Sequence, residues 1–256
     1  MMNIKPQLTL LKAQASYRGD PTTLFHQLCG ARPATLLLES AEINSKQNLQ
    51  SLLVIDSALR ITALGHTVSV QALTANGAAL LPLLDEALPP EVSIQARPNG
   101  RELTFPAIDE VQDEDARLRS LSVFDALRTL LTLVDSPADE REAVMLGGLF
   151  AYDLVAGFEN LPTLRQDQRC PDFCFYLAET LLVLDHQRGS ARLQASVFSE
   201  QASEIQRLQQ RLAQLQTELK QTPQPIPHQK LENMQLSCNQ SDEEYGAVVS
   251  GLQEAI

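Results

Sequence analysis

The chain has 256 residues, 44% of them hydrophobic and 20% charged, enough for one large core or two small ones. Thirty-two acidic side chains against twenty basic ones leave a formal net charge of -12. That balance speaks against nucleic acid and anionic membrane surfaces as partners, since both demand clustered Lys and Arg.

The N-terminus lacks a charged segment followed by a long apolar core, so no signal peptide is read. No apolar run reaches the roughly 18 residues of a membrane span. Four cysteines without secretion signals are expected to stay reduced, in a cytoplasmic protein.

Residues 7–14 alternate as a strand. Asp20-Pro21 then opens a helix that Gly30 closes, with Asp at the N-cap, Pro at the first position and Gly beyond the last turn. Residues 34–40 (ATLLLES) predict a short apolar strand with a polar end, and residues 51–65 and 67–74 two more, joined as a hairpin at Gly65-His66. A second helix is expected over 77–88, stopped by Pro89-Pro90, with Pro82 only a turn inside its start. Residues 111–119 are charged and read as loop or a solvated helix start. From 121 to 134, Val123, Leu127, Leu130, Leu131 and Val134 recur at helical spacing and predict one buried face.

Residues 172–185 and 191–199 predict antiparallel strands around the turn His186-Gln187-Arg188-Gly189. In residues 203–220, Ile205, Leu208, Leu212, Leu215 and Leu219 stand three and four apart. About two and a half heptads are too few for a coiled coil, so this helix is expected to pack on the sheet. Residues 221–227 are Pro-rich and read as a stiff linker. Ser241 and Glu244 then form a capping box for a last helix, with Tyr245, Val248, Val249, Leu252 and Ile256 on one side. The sequence stops inside that helix, which reads as a truncation.

Chemical signatures are sparse. The sequence contains no G-x-G-x-x-G, no phosphate loop, no H-E-x-x-H and no G-x-S-x-G. Cys170 and Cys174 stand four apart without a matching Cys or His pair, and read as thiols rather than metal ligands. His26, His66, His186 and His228 are scattered. Asp185-His186 invites comparison with a catalytic triad, but a hairpin turn accounts for both. Two segments stand out. Glu39 and Ser40 end a buried strand, where a carboxylate and a hydroxyl can receive a ligand ammonium. Gly147-Gly148 lead an apolar strand, which suggests close backbone packing or a bulge.

LLLES at 36–40, GGLFAYDLV from 147, CPDFCFYLAETLLVLDH from 170 and NQSDEEYGAVVSGLQEAI at the end occur together in order. In this set the chain resembles anthranilate synthase component I of the enteric-bacterial type, within the chorismate-utilising enzymes. LLES and GG-x-x-x-YD alone are common to that wider group. Aminodeoxychorismate and isochorismate synthases share such elements, while the segment from 170 and the capping box favour anthranilate synthase. An amino-acid-binding module without catalysis is the other alternative.

The resemblance implies an α+β fold, antiparallel sheets packed with flanking helices, and a lyase that converts chorismate and ammonia to anthranilate and pyruvate with Mg2+, the first step of tryptophan biosynthesis. The ammonia would come from glutamine through a separate amidotransferase subunit, in a heterotetramer of two large and two small subunits. It further implies a tryptophan-sensing regulatory region over residues 1–220, a linker over 221–240, and the start of a chorismate-binding catalytic domain over 241–256. The catalytic and metal-binding residues would then lie outside this sequence. The LLES serine of the family contacts the feedback inhibitor tryptophan, which maps onto Ser40, with Glu39 in the same wall. Burying an indole gains roughly 5 kcal/mol before association costs, at about 25 cal/mol per Å² over ~200 Å². The implied apolar floor lies largely outside the sequence. Relatives carry a basic residue just before the Ser-Leu-Leu strand, toward the ligand carboxylate; here Gln50 stands there and Lys46 is the nearest cation.

Overall fold

A computed structural model describes residues 5–39, 49–107, 119–137, 139–140, 142–157, 170–223 and 237–255. The chain divides into two compact units, Met1–Gln224 and Pro225–Ile256. In the first, nine strands among the described residues form one antiparallel sheet: β1 (Thr9–Ala15), β2 (Leu36–Glu39), β3 (Gln50–Leu64), β4 (Thr67–Ala72), β5 (Ser93–Arg97), β6 (Gly100–Thr104), β7 (Leu146–Phe150), β8 (Phe173–Asp185) and β9 (Ser190–Val197). The helices are α1 (Pro21–Cys29), α2 (Ala75–Ala78), α3 (Leu80–Ala87), α4 (Phe124–Thr132) and α5 (Ala202–Lys220). The expected α+β class, antiparallel sheet with flanking helices, is what the chain adopts.

The two longest strands, β3 and β8, pair along nearly their whole length and carry everything else. At one end β2 pairs with Leu36↔Val54 through Glu39↔Ser51 on β3, and β9 pairs with Thr180–Asp185 on β8, followed by β1. At the other end β4, β6 and β5 extend from β3, and β7 pairs with Phe173–Leu177 on β8. The ladder slips between Val54 and Leu59, so the ribbon is bulged at its middle. Alternation on β8 reverses there: Phe173 and Leu177 bury in one core, whereas beyond the bulge Leu182 and Leu184 bury against helices and Leu181 and Val183 turn away from them.

Two helix-covered cores result. Leu24 and Leu28 of α1 and Leu208, Leu212, Leu215 and Leu219 of α5 pack on Leu53, Ile55, Leu182, Leu184 and Leu193. Each such leucine contributes roughly 2 kcal/mol, so packing on the sheet fixes α5 as a single helix. Leu80, Leu84 and Leu130, from α3 and α4, cover Leu59, Ile61, Val70, Leu103, Phe173 and Leu177. Val54, Ala178, Leu181 and Val183 make a smaller cluster with half-buried Leu36, Leu52 and Met145.

Two polar groups hold the bulge. Asp56 accepts hydrogen bonds from Arg211 Nε and Nη2 at 2.9 and 3.2 Å, from Arg32 at 3.0 Å and from the Thr180 hydroxyl at 2.5 Å. Burial alone would raise its carboxyl, but those donors outweigh burial and hold it below the ordinary carboxylate value. Glu179, buried, accepts Thr74 at 2.7 Å, Asn76 at 3.1 Å and Arg207 at 2.9 Å. Asn76 also accepts the amides of Phe198 and Ser199, which ties α2 to the end of β9.

The caps of α1 form as expected: Asp20 accepts the Thr23 amide at 3.0 Å, and Gly30 takes φ of 56°. Four expectations need correction. The helix expected over 77–88 starts earlier and breaks at Ala79: Thr74 caps α2 through the Gly77 amide, and α3 restarts so that Pro82 falls in a first turn, where no N–H is needed. Ala34 has a positive φ of 59°, so pairing of the expected strand over 34–40 begins at Leu36. Leu131 is 45% exposed, while Val123, Leu127, Leu130 and Val134 are buried. The β5–β6 hairpin, turning at Asn99 with φ of 55°, has no counterpart among the expected strands. The predicted segment at 111–119 lies, but for Arg119, outside the described residues, as do residues 224–236 of the linker.

In the second unit, α6 (Asp242–Ala255) opens with the expected capping box. The Ser241 amide donates to Glu244 Oε2 at 2.8 Å, and the Glu244 amide donates to Ser241 Oγ at 3.2 Å. Tyr245, Val248, Val249 and Leu252 on this helix are exposed.

Candidate functional site: an apolar shelf at the edge of the sheet

Among the described residues, β2 is an edge strand held by four register pairs to β3 alone. Its alternation divides it between two environments. Leu37 packs against the α1–α5 core, and Leu36 against the small cluster on the other side. Leu38 shares the face of Leu36 and remains 37% exposed. Glu39, exposed, shares the face of Leu37 and of its register partner Ser51. Ser40 lies outside the described residues, as does Lys46.

The two segments singled out above meet here. β7 pairs with β8 so that Gly147 comes against β2: a Cβ at Gly147 would lie 2.9 Å from Leu36 Cδ1 and 3.7 Å from Leu38 Cδ1. Glycine leaves that space to the leucines. Leu36, Leu52 and Met145 thereby form a half-buried apolar shelf with exposed Leu38 at its rim, and Gln50, two residues before Leu52, stands on the same face at its polar end. Gly148 has a different reason: a Cβ would lie 2.2 Å from Cys174 O and 2.6 Å from Phe175 Cα, so the strand approaches β8 too closely for any side chain. Both glycines thus serve close packing, as expected.

A shelf with one amide at its end can hold a flat apolar group and orient a polar one. The remaining candidates do not form a reaction centre. Asp185 accepts the backbone amide of Arg188 at 2.8 Å within the turn, while the His186 ring meets Tyr17 and Ser51, so Asp185 and His186 are not joined in a carboxylate–imidazole–hydroxyl series. Cys29 is buried, which pushes its thiol up to about 11 and keeps it protonated. Cys170 and Cys174 are free thiols. Among the described residues no group of three or more His, Cys, Asp or Glu is placed to hold a metal, so these residues do not fit the Mg2+ implied by the resemblance. No helix among them is long and apolar enough to cross a membrane. What escaped the sequence reading is the hydrogen-bonded series Tyr17–His186–Ser51, because it joins residues 135 and 169 positions apart.

The first unit is thus an antiparallel α+β sheet with an apolar shelf at one edge. The sequence profile of the chorismate binding enzyme family matches residues 90–256, more than half of the chain, and the chain belongs to that family. It is 93% identical over 255 residues to anthranilate synthase component 1 of Serratia marcescens, and 59% identical over 256 residues to that of Escherichia coli (strain K12). Each alignment covers 100% of this chain but 49% of the relative, so the chain spans about half the length of the relatives it matches. The crystal structure of anthranilate synthase component I from Streptococcus pneumoniae TIGR4 aligns with 85% of this chain and 40% of that one, at 15% identity and a TM-score of 0.46.

Proposed function

We propose that this chain is the end-product-sensing part of the large subunit of an anthranilate synthase, and that it binds tryptophan on the shelf of β2. The observation that carries the reading is the meeting of Leu36 and Leu38 with Gly147 and Met145, which leaves a half-buried apolar surface ending in Gln50. The naming of the relatives as anthranilate synthase component 1 supports it. The complete subunit then converts chorismate and ammonia to anthranilate and pyruvate with Mg2+, in the cytoplasm. An amidotransferase subunit supplies the ammonia from glutamine in a heterotetramer. Residues 1–220 sense tryptophan, 221–240 link, and 241–256 begin the catalytic domain.

In this reading the indole lies on the shelf and the ligand ammonium meets Ser40, with the Glu39 carboxylate nearby. Alternation puts Glu39 on the opposite face from Leu38, so its share of the attraction is the smaller one. Inhibition follows from differential affinity: tryptophan favours one arrangement of the complete subunit over another. The test is anthranilate formation by the full-length subunit with chorismate, ammonium and Mg2+, titrated with tryptophan. A hydrogen bond to a charged group is worth about 1.5–3 kcal/mol, so Ser40→Ala should raise the half-inhibiting concentration about 10- to 100-fold. Glu39→Ala should raise it less, and uninhibited turnover should stay nearly unchanged in both. Parallel loss of turnover and inhibition would refute the separation of roles.

Gln50 offers a second check. Its amide can donate to the ligand carboxylate but lacks the charge that strengthens such a bond. Gln50→Lys should therefore tighten inhibition, by about tenfold for ~1.4 kcal/mol. An unchanged inhibition curve would mean that the shelf does not end at the ligand carboxylate.

A further inference from the structure

Behind the start of β3 lies a second polar group, on the face opposite the shelf. The Tyr17 hydroxyl is 2.9 Å from His186 Nδ1, and the Ser51 hydroxyl is 2.8 Å from His186 Nε2. Tyr17 and His186 stack edge to face with centroids 5.9 Å apart. The His186 amide donates to Leu49 O at 2.9 Å, which carries the β3–β8 ladder one step past Gln50↔Asp185. Ser51 is 2% exposed. An imidazole with a single N–H has one donor and one acceptor, and a hydroxyl can be either, so the series is satisfied in both directions. Such a bridge fixes the ring without demanding a charge.

Its location gives it a use. Among the described residues β2 pairs in the sheet with β3 alone, through four pairs from Leu36↔Val54 to Glu39↔Ser51. The place of Glu39 and Gln50 therefore depends on how firmly residues 49–51 are held. β8 holds them edgewise, and His186 grips both ends of that short run, at Leu49 O and at Ser51 Oγ. We propose that His186 is a positioning residue for amino-acid sensing: it fixes the start of β3, and through it the β2 edge that receives the ligand. This inference rests on the assignment of the shelf as the tryptophan site.

The test uses the full-length subunit with chorismate, ammonium and Mg2+, with tryptophan as the titrant. The variants are His186→Gln, His186→Asn and His186→Phe. A Gln amide reaches toward the place of Nε2, and an Asn amide toward that of Nδ1. His186→Phe, His186→Asn and Ser51→Ala are expected to raise the half-inhibiting tryptophan concentration about tenfold, with kcat and KM for chorismate within about twofold of the parent. His186→Gln should restore inhibition to within about threefold. Three results would overturn the proposal: inhibition of His186→Phe at the parent's tryptophan concentration, equal behaviour of the Gln and Asn variants, or loss of turnover and melting temperature in step with inhibition. If the parent itself resists tryptophan, the assignment of the shelf falls instead, which separates the two failures.

Discussion

Replacing Gly148 with alanine should unfold the β7 edge, whereas the same change at Gly147 should be mild. At Gly148 the new methyl would meet backbone, the carbonyl oxygen of Cys174 at 2.2 Å and Phe175 Cα at 2.6 Å, and neither can move without breaking the β7–β8 pairing. Overpacking typically costs about 1–3 kcal/mol where side chains can yield; against backbone the cost should exceed about 3 kcal/mol. At Gly147 the nearest obstacle is Leu36 Cδ1 at 2.9 Å, the end of a side chain that can rotate, and about 1 kcal/mol is expected. Urea unfolding of the two variants side by side checks the contrast. Equal midpoints would show that β7 does not lie against β8 as described.

Removal of the Asp56 carboxylate should be the other severe change. Asp56→Ala leaves Arg211 facing a bulge with its partner gone, and also strips Thr180 and Arg32 of an acceptor. Asp56 and Arg211 are each 19% exposed, so breaking this half-buried pair from one side costs somewhat less than a fully buried one, on the order of 2 kcal/mol. The pH dependence has a definite sign. The folded carboxyl sits below its unfolded value, so its contribution is complete above about pH 4 and drains away as pH falls through the depressed folded value. The parent should thus lose stability over that acid range, and Asp56→Ala should lose less there. A parallel pH profile for the two proteins, followed by thermal unfolding, would contradict this assignment.

Much of the fold is written in local signals. Asp20, Pro21 and Gly30 bracket α1 by capping chemistry, and the β3–β4 and β8–β9 turns close at Gly65 and Gly189, each with φ of 59°. The β5–β6 hairpin escaped because Ser93–Arg97 is short and largely exposed, with Ile94 its one residue packed on the core. Its cue was Pro98-Asn99-Gly100, a turn sequence in which Asn tolerates positive φ. The break in α2–α3 was hinted at by Pro82 alone, since the Thr74 cap competes only once the β4 end is placed. Leu131 followed the helical period but fell on the rim of α4's buried face.

The site was legible as pieces and illegible as a place. Residues 36–40 and 147–148 could each be marked, but nothing local says that β7 and β2 meet. That meeting depends on the slipped β3–β8 ladder, a pairing between residues more than a hundred positions apart. The Tyr17–His186–Ser51 series was hidden for the same reason. His186 looked like a turn residue, which it is, and its partners come from the far side of the first unit's sequence.

Arg207 and Arg211 stand one turn apart on α5, and each reaches a different acid at the bulge, Glu179 and Asp56. They act as a two-pin plug: sliding or rolling the helix would pull both pins from their sockets together. The helical flank of the sheet is therefore stiff, and compliance is left to the opposite rim, where β2 hangs by four pairs. Among the described residues of the first unit, give is expected at the strand that carries Leu38 and Glu39.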